Sequence, residues 1–193
     1  VSLYKEAIRA GSHEMPVCIT GEPGTEKKAI ARLIHNESNF SNAPFINFDC
    51  RTVEPFEIDD LIFDPRNLSP RKALIKRAEF GTLYLENIEN LRLSSQRKLV
   101  EIITESETNF LGSGSKLNPI KKVRLIFSTK LNLEELMRNG IIDEEFYFLI
   151  SSSRIRIPSI EEREGDTLKI ASEMLRRVNL LLTESVGFGE KKF

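Results

Sequence analysis

Five short apolar runs, spaced out by helical patterns, constrain the fold of this chain more than any other feature. The runs are Val17–Thr20, Phe45–Phe48, Thr82–Leu85, Arg124–Ser128 and Arg154–Ile157, each largely apolar and without clean alternation. A strand covered on both faces reads this way, and such strands belong to parallel sheets. Between them, Glu26–His35 carries Ile30, Leu33 and Ile34 on one helical face, and Ser94–Thr104 carries Leu99, Val100, Ile102 and Ile103. Asn132 followed by Glu135 has the form of a capping box, and Asn139-Gly140 closes that helix. A last helix is expected from Asp166 to Glu184, carrying Leu168, Ala171, Leu175, Val178 and Leu182. Strands and helices alternating in this order build βαβ units, so the expected class is α/β.

The 193 residues are 40% hydrophobic and 30% charged, enough for one sizeable core and the start of a second domain. With 28 basic and 29 acidic side chains the net charge is −1, which excludes a polybasic nucleic-acid binder on global electrostatics. No apolar run approaches the roughly 18 residues of a membrane span, and no basic-then-apolar leader opens the chain. A cytoplasmic protein without membrane contact is therefore expected. Cys18 and Cys50 lie in or beside apolar segments, outside any CxxC pattern, and read as buried free thiols. His13 and His35 are isolated and read as structural or surface residues. Arg71-Lys72 with Lys76-Arg77, and Lys121-Lys122 with Arg124, read as solvated faces rather than DNA contacts. The charged stretch Pro158–Asp166 separates a core domain, residues 1–165, from a second segment, 166–193, whose Gly- and Lys-rich tail from Val186 is expected to fray.

The segment Gly21-Glu22-Pro23-Gly24-Thr25-Glu26-Lys27-Lys28 directly follows a strand and opens a helix. A P-loop, G-x-x-x-x-G-K-[ST], uses its glycines to curl main-chain N–H groups around phosphate at a helix N-terminus, and its lysine to reach the outer phosphates. Gly21 and Lys27 stand at the right spacing, but Glu26 occupies the second glycine position and Lys28 the hydroxyl position. Taken alone, the segment also reads as an ordinary Gly-Pro-Gly turn between strand and helix. A carboxylate about 5 Å from a phosphate charge costs roughly 3 kcal/mol per charge pair at an effective dielectric near 20. A Cβ at position 26 also hinders close approach of main chain to phosphate.

Other segments, read in order, carry a resemblance. Ile19–Thr25, Ile34–Ser38, Pro44-Phe45-Ile46 with Cys50, Gly81–Ile88, Gln96–Leu99, Val123–Thr129, Asn132–Leu136 and Ile155–Pro158 with Glu162-Arg163 resemble the AAA+ domain of bacterial enhancer-binding proteins, the sigma-54-dependent transcription activators, response regulators among them. The resemblance spans roughly residues 15–170. It implies a P-loop NTPase fold, a three-layer αβα sandwich on a mostly parallel sheet, with residues 166–193 as the truncated beginning of a helical lid. It also implies ATP or ADP with Mg²⁺ as ligand, bound by Gly21, Glu22, Pro23, Gly24, Thr25, Glu26, Lys27 and Lys28.

The departures fall on the positions to which the family assigns chemistry. Its Walker B Asp-Glu pair, which holds the Mg²⁺ water shell and polarises the attacking water, reads Glu86-Asn87 here. Glu86 is left as the candidate Mg²⁺ contact, and Asn87 cannot act as a base. The sensor I asparagine is Lys130, and the two arginines that reach a neighbour's γ-phosphate correspond to Asp143 and Leu149. An arginine finger is worth orders of magnitude in rate. Between Phe63 and Ala78 the chain is shorter than the family pattern, and the missing piece is the GAFTGA loop that engages sigma-54. Contact with RNA polymerase and its sigma factor is thereby in doubt, and DNA contact is left to a flanking domain outside this chain. Three readings stand: a degenerate regulatory or assembly domain that binds nucleotide weakly or not at all and does not hydrolyse it, an active sigma-54 activator ATPase, and a nucleotide-free interaction scaffold. Self-association through Phe146 and Phe148 competes with packing of those aromatics into the core.

Overall fold

The computed structural model describes residues 2–63, 73–108, 123–159 and 161–162. The chain divides into two compact units, Val1–Ile157 and Pro158–Phe193, at the first residue of the charged stretch. In the first unit the elements run α1 (Ser2–Gly11), β1 (Val17–Thr20), α2 (Lys27–Asn36), β2 (Phe45–Asp49), α3 (Pro55–Phe63), α4 (Leu74–Arg77), β3 (Thr82–Glu86), a 3-10 turn (Ile88–Asn90), α5 (Leu93–Thr108), β4 (Arg124–Thr129), α6 (Leu133–Arg138), α7 (Glu144–Ser151) and β5 (Arg154–Arg156). All five expected strands form, and they make one sheet of order β2-β3-β4-β1-β5 in which every pairing is parallel.

Alternation along the strands splits the core in two. Cys18, Leu83, Leu85, Leu125 and Phe127 point into a layer shared with α3, α4, α5, α6 and α7. Val17, Ile19, Tyr84, Ile126 and Ile155 point into the opposite layer with Ala7, Ala10, Ala31 and Ile34 of α1 and α2. This is a three-layer αβα sandwich. Close approach at the sheet edge is sequence-dictated at Gly81, where a Cβ would lie 2.1 Å from the Pro44 carbonyl oxygen. The neighbouring Thr82 amide donates to that same oxygen at 2.8 Å.

Asn132 caps α6 as expected, its side chain accepting from the Glu135 amide, and the helix ends at Asn139-Gly140. Three further helices have local signals of their own. Helix α1 puts Leu3, Ala7 and Ala10 on one face. Pro55 stands at the first position of α3, with the Glu57 side chain accepting from the Glu54 amide. Asp143 caps α7 by accepting from the Glu145 amide. In the second unit, the Ser159 amide donates to Glu162 Oε2 (3.1 Å) and the Glu162 amide to Ser159 Oγ (3.3 Å), a reciprocal capping box. The helix expected at 166–184 and the GAFTGA position at 64–72 lie outside the described residues.

Both cysteines are free and buried. His35 is buried, its Nδ1 2.8 Å from Thr82 Oγ1. One expectation is overturned: Arg124 is no solvated cation but 2% exposed. It begins β4 inside the sheet, and its guanidinium donates to the Ala10 and Gly11 carbonyls, satisfying the C-terminal end of α1. Arg71, Lys72, Lys121 and Lys122 lie outside the described residues. The two aromatics of α7 divide: Phe146 is fully buried edge-on to Phe127, whereas Phe148 is 61% exposed.

Candidate functional site

Loop 21–28 leaves β1 at the C-terminal edge of the sheet, where α/β folds of this kind gather their ligands. The Gly21 amide donates to the Thr129 carbonyl (3.3 Å), fixing the loop's first residue to the end of β4. A turn follows, with Thr25 Oγ1 donating to the Glu22 carbonyl at 2.7 Å. Glu26 then takes the left-handed conformation (φ 58°, ψ 41°) at the N-cap of α2, with no side-chain cap bond. The backbone thus keeps a glycine-type conformation at the second glycine position while the residue is a glutamate, at a cost of about 1 kcal/mol. Lys27 curls back, Nζ donating to the loop's own carbonyls at Gly21 (2.7 Å) and Glu22 (2.9 Å). Burial lowers its pKa, and Lys130 and Arg51 add to that shift, while Glu86 and Glu89 oppose it. Lys28 is exposed.

Across the edge, Glu86 ends β3, half-buried, in register with Asp49 of β2 and Ser128 of β4. Asn87 follows in the left-handed region (φ 57°) and is buried, its amide donating to Asp49 Oδ1 at 2.8 Å. Asp49 is also clamped by Arg51, from Nη2 to Oδ2 (2.7 Å) and from the main-chain amide to Oδ1 (3.0 Å). Those bonds, the Arg51 side chain first, outweigh burial and hold the Asp49 carboxyl at a pKa of about 2. Such a group is ionised but too acidic to serve as a base near neutrality. Lys130 is exposed just beyond β4.

Asp143 and Leu149 belong to another element, the first as the N-cap of α7 and the second within it. Asp143 accepts from Arg97 Nε (3.0 Å) as well as capping the helix, and its amide donates to Gln96 Oε1 (2.8 Å). Leu149 packs half-buried against the larger core cluster. The structure therefore brings together loop 21–28, Glu86, Asn87 and Lys130, and adds Asp49, Arg51 and Glu89, which sequence reasoning missed. The available signal for Asp49 was its place as the first charged residue after the apolar run of β2.

The donor set does not fit Mg²⁺. Lys28 puts a cation where the P-loop pattern has a hydroxyl, and Asn87 turns its N–H toward Asp49. Among the described residues no group of three or more His, Cys, Asp or Glu is placed to hold a metal ion. Nor is any helix among them long and apolar enough to cross a membrane.

Comparison with known proteins agrees with this architecture. A Nif-specific regulatory protein of Rhizobium meliloti is 32% identical over 169 residues, 84% of this chain and 31% of its own length. The transcriptional regulatory protein GlrR of Escherichia coli is 29% identical over 181 residues, 91% of this chain and 40% of its own. The chain thus spans well under half the length of these two regulators. Among solved structures, NtrX from Brucella abortus in complex with ATP superposes with a TM-score of 0.77 at 23% identity, over 92% of this chain and 41% of NtrX. The P-loop NTPase domain of a sigma-54 activator from E. coli superposes at 0.59 with 21% identity, over 80% of this chain and 93% of that domain. A family model described as the sigma-54 interaction domain matches residues 1–156. On that match, and with the parallel sheet and loop placement above, the chain belongs to the sigma-54 interaction domain family, with the AAA+ P-loop fold.

Proposed function

We propose that this is a degenerate sigma-54-interaction-type AAA+ domain of a cytoplasmic transcription regulator, serving regulation or assembly, with weak nucleotide binding and no ATP hydrolysis. The observation that carries the reading is the Asn87 amide donating to Asp49, in the place to which the resemblance assigns a catalytic carboxylate. An amide has no basic lone pair for a water proton, and the carboxylate it touches is held at about 2. Glu26 at the loop supports weak binding by like charge against phosphate, and Lys27 must leave two carbonyls to meet a ligand. The ATP complex of the NtrX structure supports a nucleotide as the ligand class for this loop. Asp143 and Leu149 offer no guanidinium to a neighbouring copy's nucleotide, so assembly is expected not to respond to ATP. The short span between Phe63 and Ala78 argues against sigma-54 contact through a GAFTGA loop, and DNA contact belongs to a domain beyond this chain.

Calorimetry with ATP and ADP, with and without Mg²⁺, tests binding, and phosphate release across a protein concentration series tests turnover. The expected results are affinities weaker than low micromolar and no turnover at any concentration. Glu26→Gly should tighten binding. Turnover that rises with protein concentration overturns the reading in favour of an active ATPase, and complete absence of binding even in Glu26→Gly favours a nucleotide-free scaffold.

A further inference from the structure

Glu89 has no counterpart among the positions that the P-loop pattern or the resemblance singles out, yet it reaches the loop. Asn87, in its left-handed conformation, starts a 3-10 turn braced by its carbonyl, which accepts from the Asn90 amide (3.1 Å) and from Asn90 Nδ2 (3.0 Å). The turn carries Glu89 over the end of β4, where Thr129 Oγ1 donates to Glu89 Oε2 at 2.7 Å. Because Thr129 Oγ1 also accepts from the Leu131 amide (3.0 Å), its proton is committed to Glu89. Thr129 is fully buried, and its carbonyl is the acceptor that fixes Gly21, the first residue of the loop. One residue therefore ties the Glu89 carboxylate and the phosphate loop to the same point.

We infer that Glu89 is a built-in counter-ion of the phosphate loop, competing with the phosphates of a nucleoside di- or triphosphate for the loop's positive charge. Its charge acts on Lys27 and Arg51, two of the cations of this edge, in the sense of a stabilising partner. A polyphosphate entering the loop meets cations already compensated by the chain itself, and a like charge fastened beside its path. Screening by salt weakens both effects over about 10 Å at 0.1 M. The inference rests on the loop being a weak nucleotide site, and it names the residue that sets the weakness.

Glu89→Gln tests it, because the amide oxygen still accepts from Thr129 while the charge is gone. ADP, ATP and inorganic tripolyphosphate are titrated calorimetrically into wild type, Glu89→Gln, Glu89→Ala and Glu26→Gly at low and high salt. The expected result is about tenfold tighter binding in both Glu89 variants, larger for tripolyphosphate than for ADP and shrinking at high salt. Thermal unfolding of Glu89→Gln should match wild type, and Glu89→Ala provides the ratio where it does not. Affinities within twofold of wild type in both Glu89 variants, with tighter binding in Glu26→Gly, overturn the counter-ion role and leave the nucleotide site standing. If none of the variants binds any of the three ligands, the nucleotide site itself falls, and the counter-ion role with it.

Discussion

Replacing Asn87 by aspartate changes one atom group of the buried edge and should expose how strongly Asp49 depends on its amide partner. Asn87 Nδ2 lies 2.8 Å from Asp49 Oδ1, so the new oxygen faces an ionised carboxylate at contact distance. The bond lost is to a charged group, worth about 1.5–3 kcal/mol net. Two carboxylates about 4 Å apart repel by roughly 4 kcal/mol at an effective dielectric of 20. The sum is an upper bound, because Arg51 shares its charge and one carboxyl takes up a proton instead. Asn87→Asp should therefore destabilise the domain by about 2–4 kcal/mol at pH 7, a fall of roughly 5–15 °C in Tm for a chain of this size. Aspartate tolerates the left-handed backbone at this position nearly as well as asparagine, so conformational strain does not contaminate the measurement. Denaturant unfolding of Asn87→Asp, Asp49→Asn and the double variant gives the coupling directly. The double variant restores an amide facing a carboxylate with the polarity reversed and should recover at least about 2 kcal/mol. Below pH 5 the penalty of the single variant should shrink as one carboxyl protonates and donates to the other. A single variant within about 0.5 kcal/mol of wild type at pH 7, or a double variant no better than the sum of the two singles, refutes the pairing.

Phe80 holds a left-handed backbone (φ 59°) that a bulky residue adopts at a cost, so Phe80→Asn should raise stability by about 0.5–1 kcal/mol, read as a higher Tm. Arg124→Met leaves the Ala10 and Gly11 carbonyls without their donor and should cost about 3 kcal/mol, with faster amide exchange in α1 than in the sheet. Asp49 is held at a pKa of about 2 against an ordinary value of 3.8, so its contribution is present above pH 4 and is lost as pH falls toward 2. Asp49→Asn should flatten the acid limb of the stability curve. Burial lowers the pKa of His35 below 6.5, so the unfolded chain takes up the proton first and stability should fall as pH drops below that value. His35→Gln should reduce this slope in denaturant titrations between pH 7 and 5.

The central strands β1, β3 and β4 were legible because a strand buried on both faces leaves an apolar run with few alternatives, and the edge strands β2 and β5 also form where the expected runs stand. Helix α6 was legible for a local reason, the Asn132 and Gly140 signals at its ends. Helices α1, α3 and α7 were missed because their sequences show no clear helical face, α1 from small residues and α3 and α7 from dense apolar ones. Ala7 and Ala10 bury completely without looking like a hydrophobic face, and α7 is as apolar as a strand. Arg124 was misread because composition cannot tell a solvated arginine from one that ends a helix more than a hundred residues away in sequence. At the site, loop 21–28, Glu86 and Asn87 were legible by position, whereas Glu89 and Asp49 act through contacts 40 and 38 residues distant in sequence.

The substitution at Asn87 does more than delete chemistry, because the new amide has found a partner within the chain, as have other polar groups of the domain. Lys27 bonds the carbonyls of its own loop, Asn87 bonds Asp49, Thr129 bonds Glu89, and Asp143 bonds Arg97 and its own helix. A site built to receive a polyanion keeps donors aimed outward and tolerates the cost of leaving them unpaired, whereas here the Lys27 ammonium and the Asn87 amide are already engaged within the chain. On the proposed reading, binding through Lys27 exchanges internal bonds for external ones, against the like charges of Glu26 and Glu89. On that reading the fold would have little reason to change shape with the nucleotide, since a ligand moves an equilibrium only by its differential affinity for two states. On the function proposed above, such a domain would serve as a fixed part of a regulator, presenting one surface irrespective of nucleotide.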